Sequence, residues 1–136
     1  KLSSTLESIG NNAFEECFSL TTIKLPSSLK SIGSYAFERC EKLVTINLPN
    51  RITSIGAGAF YGCSSLEEVT LPTKLTRIDR NVFSYCTNLK KLTIPENVTS
   101  IDNNCVSYDM SPAIYCTKDS AAYNFAISKN LKVVLN

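Results

Sequence analysis

The sequence predicts an α/β repeat solenoid. A parallel strand from each unit joins one concave sheet, short helical turns lie on the opposite side, and a helix-plus-strand cap closes the C-terminal end. Three observations predict it. Phe14, Phe37, Phe60 and Phe83 stand 23 residues apart, as do Cys17, Cys40, Cys63 and Cys86, and Pro26, Pro49, Pro72 and Pro95. Ile9, Ile32, Ile55, Ile78 and Ile101 keep the same step across five units. One unit reads LxxIxLPxxLxxIGxxAFxxCxx, and a unit that short buries its leucines only by stacking on its neighbours.

Taken in chain order, Lys1–Gly10 (KLSSTLESIG) matches the later KLPSSLKSIG, with Ser3 where Pro26 stands. The chain is therefore expected to start partway into a repeat, at a strand, and to be a piece of a longer protein. In the first full unit, Leu20, Ile23 and Leu25 have the apolar spacing of a short strand with alternate residues inward. Pro26 lacks a backbone donor and ends it. Leu29 and Ile32 begin a second inward stretch. Gly10, Gly33 and Gly56, with Asp79 and Asp102 in the same register, are expected to allow a sharp bend. The Ala-Phe pair and the following Cys would share the inner side of a short helical turn. Each unit needs about 4.8 Å of sheet, so the concave face should be on the order of 24 Å long.

The C-terminal stretch leaves the pattern in steps. Cys105 takes the Ala13 position and Val106 the Phe14 position, and Pro112 sits where the register breaks. Ile114 to Cys116 read as a strand. Thr117 or Asp119 would cap a helix through Ala121, Ala122, Phe125 and Ala126, ending near Asn130, and the final LKVVLN reads as a last strand. The expected layout is one domain over residues 1–136, with repeats to about 106 and a cap over 107–136.

The units SIGNNAFEEC, SIGSYAFERC, SIGAGAFYGC and RIDRNVFSYC, each followed by a leucine strand and a proline, resemble the BspA-like, or treponemal-type, leucine-rich repeat. The tail YCTKDSAAYNFAISKNLKVV resembles the terminal segment of the same family. The resemblance implies a right-handed leucine-rich-repeat solenoid from a large surface or secreted protein of a host-associated bacterium or parasitic protist. It also implies adhesion to host proteins or cells, which periodicity by itself does not.

Composition narrows the chemistry. The chain has 136 residues and a net charge of +2, too small to imply a nucleic-acid or membrane-surface partner. No apolar run approaches the roughly 20 residues of a membrane span. His is absent, which removes Ser-His-Asp and Cys-His nucleophile arrangements and every Cys/His zinc pattern. No cofactor is expected. The repeated cysteines lack any CxxC pair and read as a reduced ladder of small buried side chains. A bridge between Cys105 and Cys116 is left open by the sequence. Glu15-Glu16 and Glu67-Glu68 are strand-like neighbours that point apart, which suits solvated charge better than joint catalysis. Tyr35, Tyr61 and Tyr85 lie near the helical turns and suit covering the gap between units better than binding. Asn97-Val98-Thr99 is a glycan acceptor only in a secreting eukaryote.

The outward strand positions are free of the core, and they vary. They read Thr22 and Lys24, Thr45 and Asn47, Glu68 and Thr70, then Lys91 and Thr93. These eight are the expected ligand-binding residues, on a parallel sheet whose solvated face needs a reason. The leading expectation is a non-catalytic module of a cell-surface or secreted adhesin that binds a host or cell-surface protein or glycan. The alternative is a spacer with no ligand. Leu2, Leu6, Ile9 and Phe14 would face a preceding unit, so self-association is expected through that end.

Overall fold

The computed structural model describes the whole chain, Lys1–Asn136. Each unit offers two short runs in which a polar residue precedes an inward isoleucine, valine or leucine, and both runs become strands. In chain order they are β1 (Ser8–Ile9), β2 (Thr22–Ile23), β3 (Ser31–Ile32), β4 (Thr45–Ile46), β5 (Ser54–Ile55) and β6 (Glu68–Thr70). There follow β7 (Arg77–Ile78), β8 (Lys91–Thr93), β9 (Ser100–Ile101), β10 (Ala113–Cys116), the helix α1 (Ala121–Ser128) and β11 (Val133–Leu135). The even-numbered strands and β11 form one six-stranded parallel sheet, ordered β11-β10-β8-β6-β4-β2. The odd-numbered ones form a second side, β1-β3-β5 and β7-β9. The chain is thus a parallel β-solenoid with one short helix near its C-terminal end.

The third side holds turns in place of the expected helical ones. Cys17, Cys40 and Cys63 N–H groups each donate to the Phe carbonyl three residues back, but the ladder does not propagate as a helix. The Phe N–H groups reach across to the next unit instead: Phe14 to Ala36 O at 2.7 Å, Phe37 to Ala59 O at 2.8 Å, Phe60 to Val82 O at 3.0 Å and Phe83 to Cys105 O at 2.8 Å. The cause is a pair of left-handed residues per unit. Asn12, Tyr35, Gly58 and Asn81 hold one register position at φ between 55° and 63°, and Glu16, Arg39, Gly62 and Tyr85 the other. Each left-handed residue turns the backbone away from the helical path and toward the neighbouring unit. At a non-glycine position that conformation costs about 1–2 kcal/mol, and the inter-unit hydrogen bonds offset it.

The bend expected at Gly33 and Gly56 has a different origin. Neither residue takes positive φ; the left-handed turn comes two residues later. What these positions need is absence of bulk. A Cβ at Gly33 would stand 2.5 Å from Asn11 N, and one at Gly56 would stand 2.4 Å from Ser34 N. At Gly10 a Cβ would meet nothing within 4 Å. Gly33→Ala should therefore cost about 2 kcal/mol or more through forced backbone movement, whereas Gly10→Ala should change stability by less than about 0.5 kcal/mol. Paired urea melts check this, and equal costs would contradict the close approach.

The core is a set of columns. Phe37, Phe60 and Phe83 are fully buried, with Leu29, Leu43, Ile52, Leu66, Leu75 and Leu92 around them. The phenyl rings stack along the solenoid at 5.1, 5.5 and 5.7 Å between centroids, tilted by 6° or less. This is an offset stack dictated by a strand spacing of about 4.8 Å. Beside it the cysteines form a donor ladder. Cys40, Cys63 and Cys86 Sγ donate at 3.1 Å to the carbonyls of Phe14, Phe37 and Phe60 in the preceding unit. A small apolar side chain with one weak donor fits that position.

The two ends differ. Lys1–Leu6 contains a turn and no strand, so β2 is the sheet edge on that side. Phe14, Cys17, Leu20 and Ile23 are only half-buried there, and an apolar cleft of about 770 Å³ opens between Leu2, Phe14, Ile23 and Leu48. At the other end the helix cap is Ser120, not Thr117 or Asp119. Ser120 Oγ accepts from Tyr123 N–H at 3.2 Å, and Asp119 is the left-handed residue that turns the chain into it. Asn130, at φ 54°, ends the helix, with its N–H on Ile127 O and that of Leu131 on Ala126 O. The helix buries Ala122, Phe125 and Ala126.

Candidate functional site

Alternation along the six-stranded sheet sends Ile23, Ile46, Val69, Leu92 and Ile114 inward and their neighbours outward. Parallel register then aligns the outward residues in two rows. One row runs Thr22, Thr45, Glu68, Lys91 and Ala113; the other includes Thr70, Thr93, Tyr115 and Val134. Lys24 and Asn47 continue the second row one residue beyond β2 and β4. All eight residues expected on this face stand on it. Six are exposed and the remaining two, Lys91 and Thr93, are half-buried.

Tyr115 and Ala113 are the face residues that repeat spacing misses. They lie in β10, after the 23-residue step has ended, and only the alternation Ala-Ile-Tyr-Cys signals their direction. Tyr115 gives an aromatic ring to a face whose repeat positions have none. Lys91 Nζ lies over that ring, 4.6 Å from its centroid. Glu68 is its register neighbour on the other side, but the pair forms no ion pair. At the start of these strands Lys90 reaches Glu67 at 3.5 Å. At the β2 edge Thr22, Lys24 and Asn47 border the apolar cleft of about 770 Å³, while the middle of the face holds only a shallow recess of about 270 Å³, along Thr45, Asn47, Asn50, Glu68 and Thr70. That is smaller than the pockets of roughly 300–1,000 Å³ that enclose small molecules.

Elsewhere, polar groups are engaged structurally. Arg39 holds Glu16 at 2.7 Å, whereas Glu15 accepts from Asn12, so the two carboxylates work apart. Tyr35 lies on the neighbouring unit: a Cβ at Gly58 would come 2.2 Å from its ring. Tyr61 packs on Tyr85 with centroids 5.1 Å apart. These contacts fit the covering role. All six cysteines are free, Cys105 and Cys116 included. Burial pushes the Cys40 thiol up to about 11 and those of Cys86 and Cys105 up to about 12. No cluster of three or more His, Cys, Asp or Glu side chains could hold a metal ion. No helix is long and apolar enough to cross a membrane. Asn97 and Thr99 are exposed at a turn.

A profile of the BspA type leucine rich repeat region matches residues 1–111 in six copies. Among curated proteins none matches the sequence. Solved structures do. A leucine rich repeat protein of T. pallidum is 32% identical with a TM-score of 0.72, over 81% of this chain and 52% of that one. A leucine rich cell surface protein of Faecalibacterium prausnitzii is 30% identical with a TM-score of 0.79, over 88% of this chain and 32% of that one. The pneumococcal vaccine antigen PcpA, at 14% identity and a TM-score of 0.63, shares the fold. The chain spans about half or less of the length of these proteins.

Proposed function

This chain belongs to the BspA-type leucine-rich repeat family, and we propose that it is a non-catalytic binding module of a cell-surface or secreted adhesin. The observation that carries the reading is the solvent-exposed face of the six-stranded parallel sheet. Parallel sheets are ordinarily covered on both faces, and solenoids use such an extended uncovered surface for partners. The shallow relief along the middle of the face, at Thr45, Glu68 and Thr70, favours a protein or glycan there over a small molecule. Lys24, Glu68 and Lys91 mix both signs along the face, which suits a partner of mixed charge. Similarity to the leucine rich cell surface protein of F. prausnitzii supports the location. The half-buried Leu2, Leu6 and Phe14 support a second, weaker contact, self-association through the N-terminal end.

Host matrix proteins immobilised on a surface provide the assay. Glu68→Lys combined with Lys91→Glu should weaken capture by more than about 1 kcal/mol, and changes at Tyr35 and Tyr61 should leave it unaltered. Equal losses would move the site to the turn side. Capture of none of the matrix proteins would favour the spacer reading.

A further inference from the structure

We infer that the groove between the edge of β9 and the helix α1 docks an extended segment of a partner protein in which a hydroxyl residue is followed by isoleucine and glycine. This surface lies on the second side of the solenoid, away from the face of the six-stranded sheet, and both of its walls are internal to the chain. One repeat step beyond Ser100–Ile101 the backbone is in α1 rather than in another strand. The helix thus stands where each parallel pair on this side has its second strand. It leaves a groove of about 400 Å³, with Thr99, Ile101 and Asn103 on one wall and Ala121, Asn124 and Ser128 on the other. Two observations show that α1 does not replace the strand. The first is hydrogen bonding. Ser100 and Asp102 N–H donate to Thr76 O at 3.3 Å and Ile78 O at 2.9 Å, so alternation turns the N–H and C=O of Ile101 away from β7, toward the groove. In complete pairs that carbonyl is used: Gly33 N–H donates to Ile9 O at 2.8 Å and Gly56 N–H to Ile32 O at 2.9 Å. No N–H reaches Ile101 O. The second is burial. Ile9, Ile32, Ile55 and Ile78 are at most 5% exposed, whereas Ile101 is half-buried.

The chemistry of the occupant is read from the pairs that are complete. β3 lies on β1 with Ser31 on Ser8 and Ile32 on Ile9, and β5 lies on β3 with Ser54 on Ser31 and Ile55 on Ile32. Isoleucine on isoleucine continues the inner column. Glycine follows it because a Cβ at Gly33 or Gly56 would collide with the backbone of the preceding unit. A strand added in parallel to β9 meets the same demands. Its isoleucine would enter the groove against Ile101 and Phe125, and its backbone would pair with the outward groups of Ile101. No charged side chain lines the groove, and the hydroxyl and amide groups of Thr99, Asn103, Asn124 and Ser128 suit uncharged polar neighbours. Strand addition of this kind takes its affinity from main-chain hydrogen bonds and its selectivity from the seat of the inward side chain.

The probe is a synthetic peptide with the sequence of residues 28–35, SLKSIGSY, which makes this contact on β1 within the chain. The same peptide with asparagine in place of isoleucine is the control. Amide resonances of the ¹⁵N-labelled protein should shift at Ile101, Asn103 and Asn124, and the control should bind at least tenfold more weakly. Asn124→Trp, which fills the groove from an exposed helix position, should weaken the probe at least tenfold. A dispersed spectrum establishes that the variant is folded, and Ser128→Trp takes its place if it is not. Equal binding of the two peptides overturns the inference. So does probe binding that the tryptophan variant leaves unchanged, or a set of shifts confined to β1 and β2. Cellotetraose, a neutral oligosaccharide, shifting these amides where the peptide does not would assign the groove to glycans and overturn it as well.

Discussion

Phe60→Ala should destabilise the protein by about 4 kcal/mol or more, a large share of the 5–15 kcal/mol that holds a domain of this size together. Phe60 is fully buried, and its ring stacks on Phe37 on one side and Phe83 on the other. Truncation removes the burial, leaves a cavity between two units that backbone ladders hold at fixed spacing, and breaks two aromatic contacts of about 0.5–1.5 kcal/mol each. Phe14 has one stacking partner and is only half-buried, so Phe14→Ala should cost about half as much. Phe60→Leu, which refills most of the space, should fall between them. Denaturant melts read all three. Equal losses at Phe14 and Phe60 would mean that the rings do not act as a stacked column.

The second large effect is alkaline instability. Cys86 and Cys105 are pushed up to about 12 by burial, and Cys63, between Cys40 and Cys86, is raised further still. In the unfolded chain they ionise near 9. Each thiol holds its proton more tightly when folded, so unfolding releases protons and rising pH favours the unfolded state. Their contribution is fully present below pH 9 and is lost toward pH 12. The slope approaches about 1.4 kcal/mol per pH unit for each thiol, so three of them could unfold the domain within about two units. Urea melts between pH 8 and pH 11 should show this fall. Cys63→Ser with Cys86→Ser should flatten most of it, because a serine hydroxyl does not ionise in that range and can still donate to the Phe carbonyl. An unchanged slope would show that other groups govern alkaline unfolding. Below pH 9 the same thiols should react with an alkylating reagent only as fast as the protein unfolds.

Repetition made the larger features legible. Identical residues at a fixed step imply identical environments, so Phe14, Phe37, Phe60 and Phe83 had to form one column and Thr22, Thr45, Glu68 and Lys91 one row, whatever the backbone did between them. Two-residue periodicity then fixed which of those residues face water. The route of the backbone between columns was not legible in the same way. The left-handed conformations at Tyr35, Arg39, Glu16 and Tyr85 have no local propensity behind them. They exist because the neighbouring unit offers an acceptor to each redirected N–H, a carbonyl for Glu16, Tyr35 and Arg39 and the Ser107 hydroxyl for Tyr85, a contact between residues about 22 apart in the chain. Gly33 is required for the same kind of reason, the nearness of Asn11 backbone in another unit rather than any turn of its own. Tyr115 and Ala113 joined the exposed face only through the register of β8 and β10, after the repeat had ended. Where environment recurs with the sequence, the sequence determines position; where the chain leaves the repeat or leans on a neighbouring backbone, only the stacked structure supplies the partner that decides it.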